Sequence, residues 1–280
     1  MATLTDNIPQ AGNTGLGDIL KMEDNFEMYN LFLKGYLQRS KFAYASTTSI
    51  TVDPGIYDHN GSARQCCYWN AALTFVLGPA GSNAASSAIG TSCWQYIYID
   101  DSAVVTAATN LLTAAELLNS TTAPTYSDTK KGFYNGLDRC IFFVYIDSSG
   151  HVKEFYHDGT DYVRVIGVPV ASATNLTTSF ANSPEIYYPI PLCTQIECLV
   201  GMFAPSSGDY ATVYVRPGGS SDATGDYLGF VGYSQACANL VLTLRLIPDG
   251  SGYVQFIGNT MSGTIVVQTR PLGYYLRGGI

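Results

Sequence analysis

The hydrophobic residues of this chain follow two different periods. Between Asp18 and Tyr36 they recur every three or four positions, which is the spacing of one face of an α-helix. From Ser46 onward, apolar and polar residues alternate in short runs that end at glycine, asparagine, aspartate or serine. The pattern therefore predicts a mainly β protein, with antiparallel sandwich or jelly-roll-like domains, preceded by one short amphipathic helix.

The predicted helix carries a narrow apolar seam. It begins at Asp18, a residue type that caps helix N-termini, and its apolar residues stand at spacings of 3, 4, 3, 4 and 3, as in a coiled coil. Because so short a helix is marginal in water, the seam needs a partner, either the chain's own β region or identical helices of other copies. We favour self-association. The seam residues are Ile19, Met22, Phe26, Tyr29, Leu33 and Tyr36.

Composition divides the chain into four segments. Residues 1–17 contain proline, glycine and asparagine without periodicity, which predicts an extended anchoring arm. Residues 18–40 form the oligomerisation helix. A break in the strand pattern near residues 168–184 predicts two β domains, which are 45–167 and 168–280.

Two local signals refine this division. The sequence Pro-Asp-Gly-Ser-Gly at 248–252 separates two apolar runs, which predicts a β-hairpin between them. Residues 107–119 have a helical composition and predict a short helix or a loop crossing.

Composition and charge limit the classes of function. Hydrophobic residues make up 46% and charged residues 13% of the chain, so a core can form while Ser, Thr, Asn, Gly and Tyr supply the polar surface. The net charge is −8 and the largest basic cluster is Lys130–Lys131, which argues against nucleic-acid binding. We find neither a signal-peptide pattern nor an apolar run of membrane-spanning length, and expect synthesis in the cytoplasm without membrane insertion.

The ionisable residues suggest structural roles. His151 and His157 would share one strand face about 20 Å apart, too far to bind one metal ion, and His59 stands in a turn-like sequence. The aspartates at probable strand ends are typical of turns, and the odd number of cysteines indicates reduced, mostly buried thiols. We therefore expect no catalytic residue, no metal and no cofactor. These aspartates are Asp100, Asp101, Asp147, Asp158 and Asp161; the cysteines are Cys66, Cys67, Cys93, Cys140, Cys193, Cys198 and Cys237.

Aromatic residues are the remaining candidates for ligand binding. The chain has 21 tyrosines, and the flat faces of exposed rings can stack on sugar rings. The sequence does not say which rings face solvent. The candidates are Tyr68, Trp69, Trp94, Tyr126, Tyr134, Tyr210, Tyr227, Tyr274 and Tyr275.

Two stretches of the sequence carry a distinctive order of motifs. The first is LTDNIPQAGNTGLGDILKMEDNFEMYNLFL near the start, in which a proline-containing arm and a GLGD turn lead into the helix. The second lies in the central block, where STTAPTYSDTKKGFYNGLDRCIF is its most specific part. Both stretches resemble tailed-bacteriophage virion proteins of the tail-fibre or head-fibre type.

The resemblance implies a homotrimer in the virion, made in the bacterial cytoplasm. Its N-terminal arm would bind other virion proteins, and its β domains would face outward and contact the host surface, including a host glycan. Because the chain lacks long repeats, a short fibre, spike or surface decoration is expected rather than a long fibre. The alternatives are a carbohydrate-binding receptor-recognition protein and a polysaccharide depolymerase.

Overall fold

The structure is a computed structural model, mainly β, whose sheets are built from antiparallel strands. This confirms the fold class that the alternating pattern predicts. The residues that the structure describes are 36–107, 110–167, 174–175, 181–182, 191–203, 210–217, 240–248, 254–262 and 266–278.

The strands follow one another along the described residues with few helical interruptions. The helical elements are α1 (Asp101–Ala107) and a 3-10 helix (Ala114–Glu116). The strands are β1 (Tyr36–Gln38), β2 (Phe42–Ser46), β3 (Ser49–Val52), β4 (Gly55–Asn60), β5 (Arg64–Trp69), β6 (Leu73–Val76), β7 (Cys93–Ile99), β8 (Leu117–Ser120), β9 (Thr125–Ser127), β10 (Gly132–Asn135), β11 (Asp138–Ile146), β12 (Phe155–His157), β13 (Tyr162–Val165), β14 (Thr174–Asn175), β15 (Ala181–Asn182), β16 (Cys193–Phe203), β17 (Tyr210–Pro217), β18 (Leu240–Leu246), β19 (Val254–Ser262) and β20 (Val266–Leu276).

Contacts divide the chain into two compact units. The first unit comprises Met1–Ile89, Gln95–Phe143 and Gly278–Ile280, and the second comprises Gly90–Trp94 and Val144–Arg277. Residues 144–167 thus group with the second unit. The division into domains at residue 168 stays a prediction.

In the first unit, β1, β4 and β5 form one sheet, β2, β3 and β6 lie side by side, and β8, β7, β11, β10 and β9 form a third array in that order. Most of its largest fully buried side chains are aromatic, a residue class that β-strands favour. Phe42 and Phe142 stack with their ring centroids 4.0 Å apart, and neither is exposed to solvent.

In the second unit, the strand order is β18, β16, β20, β13 and β12, and β14 adds to β20. A smaller sheet has the order β15, β19 and β17. Strand β16 shows why the sequence alternates: Ile196, Cys198 and Val200 are fully buried, while Glu197 and Leu199 are half-buried on the other side. One face of the larger sheet therefore covers a core and the other faces solvent.

The predicted hairpin at 248–252 is wrong. The two flanking runs do form strands, but β18 pairs with β16 and β19 pairs with β15 and β17 in the other sheet. The two strands therefore belong to different sheets. In the segment 107–119, α1 ends at Ala107 and the 3-10 helix covers Ala114–Glu116, so part of it is helical.

The predicted oligomerisation helix lies mostly outside the described residues, and the seam positions Ile19, Met22, Phe26, Tyr29 and Leu33 are among those not described. Tyr36 is described, and its backbone belongs to β1, where it pairs with Tyr57 of β4. The prediction of helix through residue 40 is therefore wrong at Tyr36–Gln38, where the backbone forms a strand.

Truncating the stacked pair tests the core of the first unit. We expect Phe42→Ala to lower the free energy of unfolding by about 3–5 kcal/mol, because it leaves a cavity beside Phe142. Urea unfolding measures the change. The control is Val105→Ala in α1, where the side chain is 51% exposed, and we expect a change within about 0.5 kcal/mol. Equal effects of both substitutions would contradict this description of the core.

Candidate functional site

The most concentrated chemistry in the first unit is a cluster of His59, Ser62 and Asp101, which we call the His59 cluster. His59 lies near the end of β4, Ser62 in the turn that leads to β5, and Asp101 is the first residue of α1. Asp101 thus stands where an acidic side chain is favoured by the helix dipole. The turn between β4 and β5 lies against the start of α1, and this brings Ser62 and His59 next to Asp101.

The Asp101 carboxylate accepts three hydrogen bonds within the His59 cluster. The Ser62 backbone N–H donates to Oδ1 over 2.8 Å, and the Ser62 hydroxyl donates to Oδ2. His59 Nε2 lies 3.0 Å from Oδ1, so Nε2 carries the proton in this bond. His59 is completely buried and Asp101 is 4% exposed.

Burial and hydrogen bonding set the charges of the His59 cluster. Burial lowers the pKa of His59 and outweighs the opposing effect of Asp101, which favours a neutral imidazole. Burial alone would raise the pKa of Asp101, but the bonds from Ser62 and His59 outweigh it and lower that pKa. The cluster is therefore a neutral histidine bonded to an ionised carboxylate.

The bonding order of the His59 cluster differs from that of a catalytic triad. In a triad the serine bonds to the histidine, which accepts its proton, and the carboxylate orients the histidine from the other side. Here serine and histidine both donate to the carboxylate, and His59 Nδ1 is buried without a hydrogen-bond partner. The arrangement attaches the turn to α1 and does not activate the serine.

Arg139 supports the same region from β11. Its Nη1 donates to the Asp58 carbonyl and to the Tyr134 hydroxyl, both over 3.0 Å. The Tyr134 hydroxyl also accepts from the Asn60 N–H over 3.2 Å. Arg139 is fully buried, so its charge stabilises the β4–β5 region and is not presented to a ligand.

Of the other candidates from the sequence, His157 ends β12, and Asp147 and Asp158 directly follow strands, where all three form local hydrogen bonds. His157 Nε2 lies 2.9 Å from the Thr160 carbonyl, and the Asp147 carboxylate accepts from the backbone N–H of His151 over 3.0 Å. Asp158 likewise accepts from the Thr160 N–H. In the described ranges, no group of three or more His, Cys, Asp or Glu side chains is placed to hold a metal ion.

The cysteines in the described residues are free thiols, and four of these six are buried: Cys67, Cys140, Cys193 and Cys198. Burial raises the pKa of Cys67 and that of Cys198 to about 12, which keeps these thiols protonated and unreactive. Cys237 lies outside the described residues.

The second unit presents a different kind of site on the solvent side of its larger sheet. Cross-strand register places Arg245, Glu197, Gly273, Arg164 and Tyr156 in one row, because each directly pairs with the next. The neighbouring row contains Gln195, Tyr275 and Tyr162. We call the side chains of Tyr156, Tyr162, Arg164, Glu197, Arg245, Arg270 and Tyr275 the tyrosine–arginine face.

Gly273 leaves space for the Tyr162 side chain at the centre of the tyrosine–arginine face. A Cβ at this position would overlap the Tyr162 hydroxyl, so the missing side chain makes room for the Tyr162 ring. The Tyr162 hydroxyl donates to Glu197 Oε2. Burial, together with this bond, raises the pKa of Tyr162, so the phenol stays protonated.

Aromatic and cationic groups surround this centre. The guanidinium of Arg245 lies over the Tyr275 ring, 4.4 Å from its centroid, and the rings of Tyr162 and Tyr275 have centroids 5.0 Å apart. Arg270 shares the face because both it and Thr243 pair with Leu199, which stands two residues beyond Glu197. Arg164, Arg245 and Arg270 are all exposed.

The structure shows which of the aromatic candidates are exposed to solvent and which are buried. Tyr126 is 48% and Tyr68 38% exposed, while Trp69, Tyr134 and Tyr274 are buried. Trp94 and Tyr275 are half-buried; the side chains of Tyr210 and Tyr227 are not described. The sequence analysis missed Tyr156, which is 57% exposed. Its position between two buried residues of β12, Phe155 and His157, was the available signal.

Comparison with protein-family models, with curated protein sequences and with solved structures finds no match for this chain. Across the described residues, no helix is long and apolar enough to cross a bilayer.

The glycine in the turn of the His59 cluster provides one test. A Cβ on Gly61 would overlap Asp101 Oδ1 and come within 2.6 Å of His59 Nε2. We expect Gly61→Ala to lower the free energy of unfolding by more than about 2 kcal/mol, the scale of disrupting a buried hydrogen-bond network. The matched control is Gly278→Ala, where a Cβ meets open space. Thermal unfolding that responds equally to both changes would contradict this packing.

The pKa of His59 predicts a pH dependence of stability. Because its folded-state pKa lies below its ordinary value, the unfolded chain binds more protons below about pH 6.5. The contribution of His59 is therefore complete above its unfolded-state pKa of about 6.5, and it is lost as the pH falls from that value through the lower folded-state pKa.

Urea unfolding between about pH 7.5 and 5 measures this dependence. We expect His59→Gln to make stability less dependent on pH than in the parent chain, whereas His151→Gln, at an exposed position, leaves the dependence unchanged. If the parent and His59→Gln show the same slope, the buried neutral state of His59 is wrong.

Proposed function

We propose that this chain is a structural component of a bacteriophage virion, a homotrimeric short fibre, spike or surface-decoration protein that contacts the host surface. The observation that carries the proposal is how the described ionisable groups of the first unit are used. His59, Asp101 and Arg139 are buried and bonded inside the fold, as in a protein selected for durable architecture. The resemblance of residues 4–33 and of the central block to phage fibre proteins supplies the virion context.

In this proposal, each segment has one task. Residues 1–17 attach the protein to other virion proteins, and the apolar seam within 18–40 holds three chains together. The β units then project outward. The low fraction of charged residues, 13%, suits a surface that packs against identical neighbours, because few charges need to be desolvated when chains associate.

The second candidate function is recognition of a host glycan, and the tyrosine–arginine face favours it. One exposed tyrosine, two half-buried tyrosines and exposed arginines lie side by side on a sheet, and this arrangement is suited to binding because the strands fix their spacing. Glycan recognition is compatible with a place in the virion.

A polysaccharide depolymerase receives less support. A glycosidase needs two carboxylates on opposite sides of the scissile bond, about 5–10 Å apart. In the paired rows of the tyrosine–arginine face Glu197 is the one carboxylate among the described strands, and Tyr162 donates to it. We therefore propose a protein without enzymatic activity. Release of reducing ends from a host polysaccharide would contradict this.

Oligomeric state in solution tests the structural proposal. We expect the full chain to form a particle of three 30.1 kDa subunits in size-exclusion chromatography with light scattering. Phe26→Asp places a charge within the apolar seam and should dissociate the trimer, because an unpaired buried charge is strongly destabilising.

The matched control is Met28→Asp, which adds the same charge away from the seam. It should leave the trimer intact. A parent chain that is monomeric, or a trimer that survives Phe26→Asp, would refute the role of the seam.

A further inference from the structure

We infer that the tyrosine–arginine face of the second unit binds an acidic polysaccharide, one whose sugar rings carry carboxylates. This inference rests on the glycan-recognition part of the proposed function and adds to it the chemical class of the ligand.

The positive charge of the face is free to meet a ligand. Arg164, Arg245 and Arg270 are exposed, and their side chains make no ion pair or hydrogen bond with another residue in the part of the chain that the structure describes. The contrast with a net charge of −8 for the whole chain is large. An anionic ligand would therefore meet arginines without an ion-pair partner here, one of which, Arg245, lies over the Tyr275 ring.

The face has one carboxylate against three arginines, and that carboxylate is already hydrogen-bonded. Glu197 lies between Arg245 and Gly273 in the row, and it accepts the hydroxyl of Tyr162. Two further acidic residues, Glu154 and Asp158, flank β12 outside its paired residues, and Asp158 accepts from the Thr160 N–H. The arginines on β13, β18 and β20 are thus the groups that can select a carboxylate.

The spacing of the arginines fits a ligand with repeated charges. Arg245 and Arg164 stand in the same row three strand spacings apart, which is about 14 Å, and Arg270 lies further along β20. A guanidinium binds a carboxylate through two parallel hydrogen bonds. A polysaccharide with carboxylates at regular intervals can therefore bind two of these guanidinium groups at the same time.

The aromatic rings favour a sugar over other anions. Tyr156 is 57% exposed at the end of the row next to Arg164. Tyr275 is half-buried beside Tyr162, with Arg245 held over its ring. A uronic acid offers an apolar ring face to an aromatic side chain and a carboxylate to an arginine, whereas an acidic peptide supplies no ring with its carboxylates.

Nucleic acid fits the face less well. Its binding depends on neutralising many phosphates, and the face supplies three arginines on a chain of net charge −8. We therefore propose an acidic polysaccharide as the ligand. The test must distinguish its binding from the binding of nucleic acid or of an acidic peptide.

Affinity electrophoresis of the full chain tests the inference. The gels contain polygalacturonate, neutral dextran, poly-L-glutamate or a 20-nucleotide oligo(dT). We expect polygalacturonate alone to retard the protein strongly. The double variant Arg164→Gln/Arg245→Gln should weaken this binding by about tenfold or more, the scale of losing charge-assisted hydrogen bonds.

The effect of charge alone is controlled by Lys131→Gln, which removes one exposed positive charge from the first unit and is matched to the single change Arg270→Gln. This variant should bind polygalacturonate within about twofold of the parent, because Lys131 is not part of the face and solvent and salt screen an exposed charge. Arg270→Gln, a single exposed change on the face, gives a second measurement if the double variant unfolds, and should weaken binding by itself.

Four results would overturn the inference. These are no retardation by polygalacturonate, equal retardation by dextran, binding of poly-L-glutamate or oligo(dT) as tight as that of polygalacturonate, and equal losses in the face variants and the lysine control. Light scattering on the same samples separates this inference from the virion proposal. A trimer that fails to bind would refute only the ligand, while a monomer that binds would refute only the assembly.

Discussion

A buried carboxylate that must be fully hydrogen-bonded constrains the first unit. Asp101 is 4% exposed, and leaving its charge unpaired in such a site would cost several kcal/mol. Ser62 and His59 supply the donors, but only because the turn between β4 and β5 brings them against the start of α1. That approach requires a residue without a Cβ at position 61. Because the Asp101 carboxylate requires hydrogen-bond donors, the turn that carries Ser62 must approach α1 and His59 must be buried beside it.

The second unit meets a similar constraint with a different result. Glu197 lies on the solvent side of a sheet and accepts a hydrogen bond from Tyr162, which needs the space left by Gly273. Here the carboxylate is satisfied by a neutral phenol. The neighbouring arginines remain in solvent, where their hydration offsets the cost of charge. The His59 cluster therefore uses its charge inside the fold, while the tyrosine–arginine face presents arginines to solvent.

Local structure could be predicted from the sequence because alternation is a local property. The runs that alternate, such as those of β16 and β20, form strands with the expected buried side. Strand partners could not be predicted, because pairing is decided by the packing of whole sheets. The residues at 248–252 are of the types that favour a turn, yet β18 pairs with β16 and β19 pairs with β17.

The candidate sites follow the same division. His59 and Asp101 are 42 residues apart, and nothing in the sequence joins them. The pattern Val163-Arg164-Val165 indicates an outward arginine on a strand, but only the register shows that it shares a row with Arg245. The apolar seam before the β region is visible in sequence alone. Its partner remains a prediction, because most of the seam lies outside the described residues.

The acidity of the chain does not exclude an anionic ligand. At physiological ionic strength the Debye length is about 8 Å, so the net charge of −8 acts weakly on a ligand that has reached the sheet. Within that range the ligand meets the arginines and tyrosines of the face. The long-range repulsion lowers the association rate instead and makes binding selective for ligands that fit closely. If three chains assemble as proposed, three such faces would act on one polymer, and avidity would compensate for weak single contacts.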